Sequence, residues 1–152
     1  MAPIARSSHM EQALGEARAA AERGEVPVGA VVVGPDGTVL AAAGNQTRAL
    51  NDPTAHAEML AIRQAAAVLG AERLTGCDLY VTLEPCPMCA GAISAARLRR
   101  LYFGAADPKS GGVEHGPRVF QHATCHHAPE VYGGIGEQAA AALLSSFFTA
   151  RR

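Results

Sequence analysis

The stretch Leu79 to Ala92, LYVTLEPCPMCAGA, runs an apolar segment into Cys86 and Cys89, with Pro85 before the first cysteine and Pro87 between the two. Proline is tolerated at the first position of a helix, which would put Cys86 at the N-cap and Cys89 inside the first turn. Both sulfurs would then lie at the positive end of a helix, where unpaired N–H groups and the dipole favour thiolate over thiol. Two thiolates at this spacing can share an ion, but a tetrahedral zinc site with Zn–S of about 2.3 Å needs at least one more protein ligand. His56, in DPTAHAEMLAIR (Asp52 to Arg63), is the best candidate. It also begins a helix, for which Asp52-Pro53-Thr54 is expected to supply the break and the cap. Glu58 leaves the same turn in another direction, so one side chain can bind metal while the other faces whatever sits in front of it.

One histidine and two thiolates leave the fourth tetrahedral position open, the arrangement of a catalytic zinc rather than a structural one. Water is expected there. Zinc lowers the pKa of such a water to about 7 in favourable sites, and Glu58 can accept the proton and carry it elsewhere.

These groups need elements to position them. Met10, Ala13, Leu14, Ala17 and Ala21 repeat at helical spacing, and Gly24 stands where that helix would end. GAVVVG (Gly29 to Gly34) is apolar on both faces and reads as a strand covered on two sides. Pro35-Asp36-Gly37 is a turn, which returns Thr38 to Ala43 as a hairpin partner. Ala57 to Leu69 has a helical period and stops at Gly70. Asp78 to Leu83 reads as a strand, Pro87 to Ala96 as a short helix and Arg100 to Phe103 as a further strand. Strand, helix, strand with such a connection is a βαβ unit with parallel strands, so the fold class is α/β with a mixed sheet of about five strands and helices on its faces. The glycine-, proline- and histidine-rich passage Ala105 to Ala128 is longer than an ordinary connection. A short strand near Glu130 to Tyr132 and a helix from Glu137 to Arg151 complete the pattern.

The 152 residues suit one domain. Residues 1–9 are set apart as a segment without order or foreign to the fold, and Met1 to Met10 lacks the apolar centre of a signal peptide. A hydrophobic fraction of 49% with 18% charged residues describes a soluble globule, and alanine supplies much of the apolar content, so helices should pack closely. A cytoplasmic location is expected, and in a reducing cytosol the set Cys77, Cys86, Cys89 and Cys125 points to metal or catalysis before disulfides. The net charge of −1 conceals an imbalance, six basic against ten acidic residues up to Glu84 and seven against four from Arg97 onward. A modest basic face from the second half and a plain solvated surface are both compatible with this.

His56-Ala57-Glu58 followed by Pro85-Cys86-Pro87-Met88-Cys89 resembles the H-x-E and P-C-x-x-C signature of the zinc-dependent nucleobase deaminases. H-x-E alone is a weak signal; the two halves together, each opening a helix, are a strong one. GEVPVGAVVV (Gly24 to Val33), NDPTAHAEMLAIR (Asn51 to Arg63), LYVTLEPCPMCAGAI (Leu79 to Ile93) and RLYFGAADPKSGG (Arg100 to Gly112) are similar, in order, to the bacterial tRNA-specific adenosine deaminases of the cytidine/deoxycytidylate deaminase superfamily. The resemblance covers nearly the whole chain from Met10. It implies a three-layer cytidine-deaminase-like fold and a homodimer with one zinc per subunit. The implied reaction is hydrolytic deamination of the wobble adenosine of an arginine tRNA to inosine. His56, Cys86 and Cys89 would hold the zinc, and hydroxide on it would attack adenine C6 while Glu58 delivers a proton to N1 and then to the departing ammonia.

The resemblance also turns Asn45, otherwise a turn former, toward substrate, since its amide offers both a donor and an acceptor. Val28 and Leu83 lie near strand ends where a base pocket would open, and Asp107, Lys109 and Ser110 follow the fourth strand in a loop that would approach the nucleotides around the target base. Phe147 and Phe148 beside Arg151 and Arg152 combine aromatic faces with charge; one phenylalanine belongs to the core, and the other, with the arginines, could serve the anticodon arm. Arg97, Arg99 and Arg100 could contact phosphate or only cap a helix end. Glu84 reads as a hydrogen-bond partner that supports the site, Cys77 as a small buried hydrophobe and Cys125-His126-His127 as a partly exposed loop more than a second metal site. Two rivals remain: a guanine or other free purine deaminase on the same machinery, and a non-catalytic zinc-containing RNA-binding module.

Overall fold

The computed structural model describes the backbone of residues 3–151 and the side chains of residues 8–151. In chain order the elements are α1 (Pro3–Glu22), β1 (Gly29–Val33), β2 (Val39–Gly44), α2 (Ala57–Leu69), β3 (Asp78–Leu83), α3 (Pro87–Ala95), β4 (Arg100–Ala105), β5 (Glu130–Tyr132) and α4 (Glu137–Ala150), with a 3-10 turn at Val119–Gln121. The sheet order is β2-β1-β3-β4-β5. β1 pairs antiparallel with β2 and β3, whereas β3, β4 and β5 run parallel. β3-α3-β4 is therefore the expected βαβ unit between adjacent strands, while β1 is inserted between the two strands that α2 connects.

α1 and α4 cover one face of the sheet, α2 and α3 the other. Met10, Leu14, Val31, Val33, Tyr80 and Tyr102 form the core on the α1 side. The second core joins Val32, Leu79, Val81, Leu101 and Phe103 to Ala57, Ala61, Ala65, Ala90 and Ile93 of α2 and α3. Alternate residues of β1, β3 and β4 point to opposite cores, which is why GAVVV is wholly apolar and the two buried polar groups of DLYVTL are partnered, Asp78 by Arg99 and Thr82 by the Gly29 N–H. The alanines of α1 let it approach closely: a Cβ on Gly29 would meet Ala13 O at 1.9 Å, and one on its register partner Gly44 would meet Glu16 O at 2.7 Å.

Two expectations shift. The first helix begins at Pro3 rather than Met10, so residues 3–9 are helical, and its buried face uses Ala20 where the spacing suggested Ala21. Met1 and Ala2, within the segment set apart, lie outside the described residues. β4 runs on to Ala105, because Ala105 O accepts the Glu84 N–H at 2.8 Å and Leu83 pairs with Ala105. Among the described residues no helix is long and apolar enough to cross a membrane.

Candidate active site

The starts of α2 and α3 meet at the carboxyl end of β3. His56 is the N-cap of α2 and Cys86 the N-cap of α3, both with extended backbone, and Pro87 occupies the first helical turn as its fixed φ predicts. His56 Nδ1 lies 3.6 Å from Cys86 Sγ and 3.4 Å from Cys89 Sγ. The three ligand atoms fall within 4.8 Å of one another, and this is the only such group of metal-ligating side chains among the described residues. One imidazole nitrogen and two sulfurs so placed suit a tetrahedral zinc with an open position. The electrostatics of the ligands agree. The bond with Cys89 and then that with His56 hold the Cys86 thiol down at about 4, whereas the partnership with Cys86 and burial push Cys89 up. The hydrogen bond to Cys86 raises the His56 imidazole. Metal binding takes both sulfurs as thiolates, so a divalent cation held here would release any thiol proton.

Glu58 stands in the first turn of α2, two residues after His56, and is only 4% exposed. Burial lifts its carboxyl from the ordinary range to about 7, and the negative Cys86 adds to the shift. A carboxyl balanced near neutrality both accepts and returns a proton without a large driving force either way.

In front of these groups lies a cavity of ≈ 230 Å3, lined by Val28, Leu83, Asn45, Thr47, Asp107 and Ser110 beside His56, Glu58 and Cys86. It continues through Val26, Leu83, Asp107 and Ser110 into a wider one of ≈ 560 Å3, which Lys109, Leu144 and Phe148 border. The largely apolar hollow between α3 and residues 117–126, by contrast, stands apart from Glu58.

Asn45 does more than line the cavity. Its Oδ1 accepts the Ala57 N–H at 2.7 Å, so it satisfies the first free donor of α2 from across the fold. That corrects the sequence reading twice. Asp52 does not cap the helix: its Oδ1 takes the Thr54 N–H at 2.9 Å and the Thr54 hydroxyl at 2.7 Å, closing the turn ahead of His56. And Asn45, read as a turn former or a substrate contact, is itself the cap, one lone pair of its oxygen being taken by that bond.

Two buried carboxylates, each 2% exposed, hold the loops that wall the cavity. Glu25 accepts the Arg48 N–H at 3.1 Å and the Ala49 N–H at 2.8 Å, and Thr47 Oγ1 donates to it at 3.4 Å. Glu84 serves the loop after β4 in the same way, through Asp107, Val113, Glu114 and His115. Burial pushes both carboxyls up, but these hydrogen bonds outweigh it and hold both below the usual carboxylate range.

Val28, Leu83, Asn45, Asp107 and Ser110 therefore reach the inner cavity, and Lys109 and Phe148 the outer one. Phe147 is core and Phe148 is 50% exposed, as expected of the pair. The Arg151 guanidinium sits 3.5 Å over the Phe147 ring and lines neither cavity; Arg152 lies outside the described residues. Arg99 and Arg100 are spent on Asp78 at the other end of β3, with Nη2 of Arg99 3.0 Å from Oδ2. Cys77 is buried, and Cys125 Sγ packs against Ser94 Oγ at 3.3 Å. Sequence reasoning missed Val26, Thr47 and Glu25. An acid set between Gly24 and the apolar run VPVGAVVV was the one available signal for Glu25.

The family model described as the cytidine and deoxycytidylate deaminase zinc-binding region matches residues 4–105. The tRNA-specific adenosine deaminase of Agrobacterium fabrum is 61% identical over 147 residues, which span 97% of this chain and 96% of that protein. A solved structure from biochemical and structural studies of A-to-I editing by tRNA:A34 deaminases at the wobble position of transfer RNA superposes with a TM-score of 0.89. It is 63% identical and covers 90% of this chain and 99% of its own. The guanine deaminase of Bacillus subtilis superposes with a TM-score of 0.63 at 44% identity, covering 65% of this chain and 63% of its own.

Proposed function

The chain belongs to the cytidine and deoxycytidylate deaminase family, whose cofactor is zinc, and we propose that it deaminates the wobble adenosine of a tRNA to inosine. On this reading His56, Cys86 and Cys89 hold the metal, which makes a water nucleophilic near neutral pH. Glu58 takes the proton of the attacking water and passes it to N1 of the adenine. Once C6 has gained the oxygen, Glu58 takes the remaining proton of that oxygen and passes it to N6, so that the C6–N6 bond breaks, ammonia leaves and a C6 carbonyl remains. Val28 and Leu83 contact the base through apolar surface, and Asn45 offers its Nδ2–H donors.

The observation that carries the RNA substrate is the continuity of the two cavities. A base placed beside Glu58 has, directly outside it, a wider space bordered by Lys109 and the half-exposed Phe148, which suits a neighbouring nucleotide's phosphate and base face. The finer expectations belong to the same reading: an arginine tRNA, a homodimer acting in the cytoplasm, and contacts from Asp107, Ser110, Arg151 and Arg152. Incubation with an anticodon stem-loop carrying a wobble adenosine, and separately with free guanine, decides between this reading and the purine one. Inosine in the RNA is expected; ammonia from guanine with the RNA unchanged would overturn it. Light scattering at several concentrations tests the dimer, for which a constant monomer mass would be the contrary result.

A further inference from the structure

The loop between β4 and β5 has no regular structure where it walls the cavity, so something other than a strand or helix must fix it. Glu84 supplies that. Its Oε1 accepts the Asp107 N–H at 3.0 Å and lies 2.7 Å from His115 Nδ1. Its Oε2 accepts the N–H groups of Val113, Glu114 and His115 at 3.2, 2.9 and 3.1 Å. Five donors around one carboxylate replace the water it loses on burial. An amide could not take its place, because one oxygen would become an NH2 group facing N–H donors.

The chain is shaped to allow this grip. A Cβ on Gly111 would stand 2.4 Å from Glu84 Oε2, and one on Gly112 would stand 2.6 Å from the Pro87 nitrogen. The Gly112 N–H donates to Pro85 O at 2.8 Å. The loop is thus pressed against Glu84-Pro85-Cys86-Pro87, the same backbone that carries the first sulfur. Asp107, for its part, uses Oδ1 on the Lys109 and Ser110 N–H groups, which preforms the turn but does not anchor it to the site. The anchors are the Glu84 carboxylate and the single Gly112–Pro85 backbone bond, and Glu84 takes five of the six contacts.

We propose that Glu84, with His115 as its side-chain donor, is a positioning residue for substrate. It sets the Asp107–Ser110 wall of the cavity against the metal-binding backbone. Neither His56 nor Glu58 depends on this loop, so loss of the clamp acts on substrate binding and leaves the chemical step in place. The assignment rests on the deaminase reading for its substrate but not for its geometry.

The test measures kcat and KM on the anticodon stem-loop, zinc content and amide hydrogen exchange for the wild type, Glu84→Gln and His115→Ala. Expected are a KM raised about 10-fold or more in Glu84→Gln and about 3-fold in His115→Ala, with kcat within about 3-fold and zinc retained. Exchange at residues 107 and 113–115 should accelerate in both. A fall in kcat at constant KM, or loss of zinc in proportion to activity, would overturn the proposal. If Glu84→Gln does not fold, His115→Ala decides alone, its side chain being 37% exposed and expendable for folding; an unchanged KM then sinks the idea. If the wild type leaves the stem-loop unedited, the functional reading fails, and unaltered exchange in both variants would separately refute the clamp.

Discussion

The two sides of the cavity are built by opposite means. On the metal side, His56, Cys86 and Cys89 come from helix starts, where N-cap geometry and Pro87 dictate their direction within a few residues of chain. On the loop side, residues 45–52 and 107–115 have no such local code. Glu25 and Glu84 hold them from 22 to 31 residues away through buried carboxylates bonded largely to backbone N–H groups. Reactive groups are thus placed on rigid elements, and the facing wall on segments that one buried anion each, with a few backbone bonds, ties to the fold. The first arrangement gives fixed geometry; the second, on the proposed role of Glu84, should change with one side chain while the chemical step stays in place.

Removing a metal ligand should do the most damage. Cys86→Ala, or chelation of the wild type, is expected to abolish zinc binding and turnover together, as metal analysis beside an inosine assay will show. Next is Glu58→Gln, which should keep its zinc and fold yet lose about 10²- to 10⁴-fold in turnover. Retained full activity would remove Glu58 from the proton path and blur the division between the two sides.

A smaller effect separates neighbours on α4. Phe147→Ala should cost about 3 kcal/mol of stability because the ring is buried and carries Arg151. Phe148→Ala should change stability by no more than about 0.5 kcal/mol, but raise KM for the stem-loop about 5-fold. Equal melting temperatures for the two would show that the burial of Phe147 is misread, and an unchanged KM in Phe148→Ala that the outer cavity is.

The two sides also respond to pH with opposite sign. Glu25 and Glu84 are held below the usual range, so their contribution is full above the unfolded value of about 4.3 and is lost as pH falls through the lowered folded one. Melting temperature should therefore drop in acid, and less steeply in Glu25→Gln. Glu58 in the chelated protein is raised to about 7, so its contribution is present below the unfolded value and is lost as pH rises toward neutrality. Glu58→Gln should flatten that neutral limb and leave the acid limb alone. Both limbs vanishing in one variant would show the two sides to be a single titrating network.

Much of this was legible along the chain. α2 and β3 take the bounds their sequence indicated, because Gly70 in the left-handed region ends the helix and the apolar centre of β3, Leu79 to Val81, is buried on both faces. Gly24 and Pro87 punctuate as their φ requires. Misread were the interactions between segments distant in sequence. Asp52 and Thr54 look like a cap and form a turn, while the cap comes from Asn45, just beyond the end of β2. Arg99 and Arg100 could have served a phosphate until the parallel pairing of β3 and β4 brought them beside Asp78.

By itself the sequence determined which groups could do chemistry and on which helix starts they sit, since spacing, proline and capping are properties of neighbouring residues. Only the tertiary structure decided that the two helix starts converge within 4.8 Å, that burial lifts Glu58 to about 7, and that Glu25 and Glu84 hold the facing wall. Convergence and burial depend on which strands pair and what covers them, and a buried carboxylate finds its N–H partners only once distant segments have been packed around it.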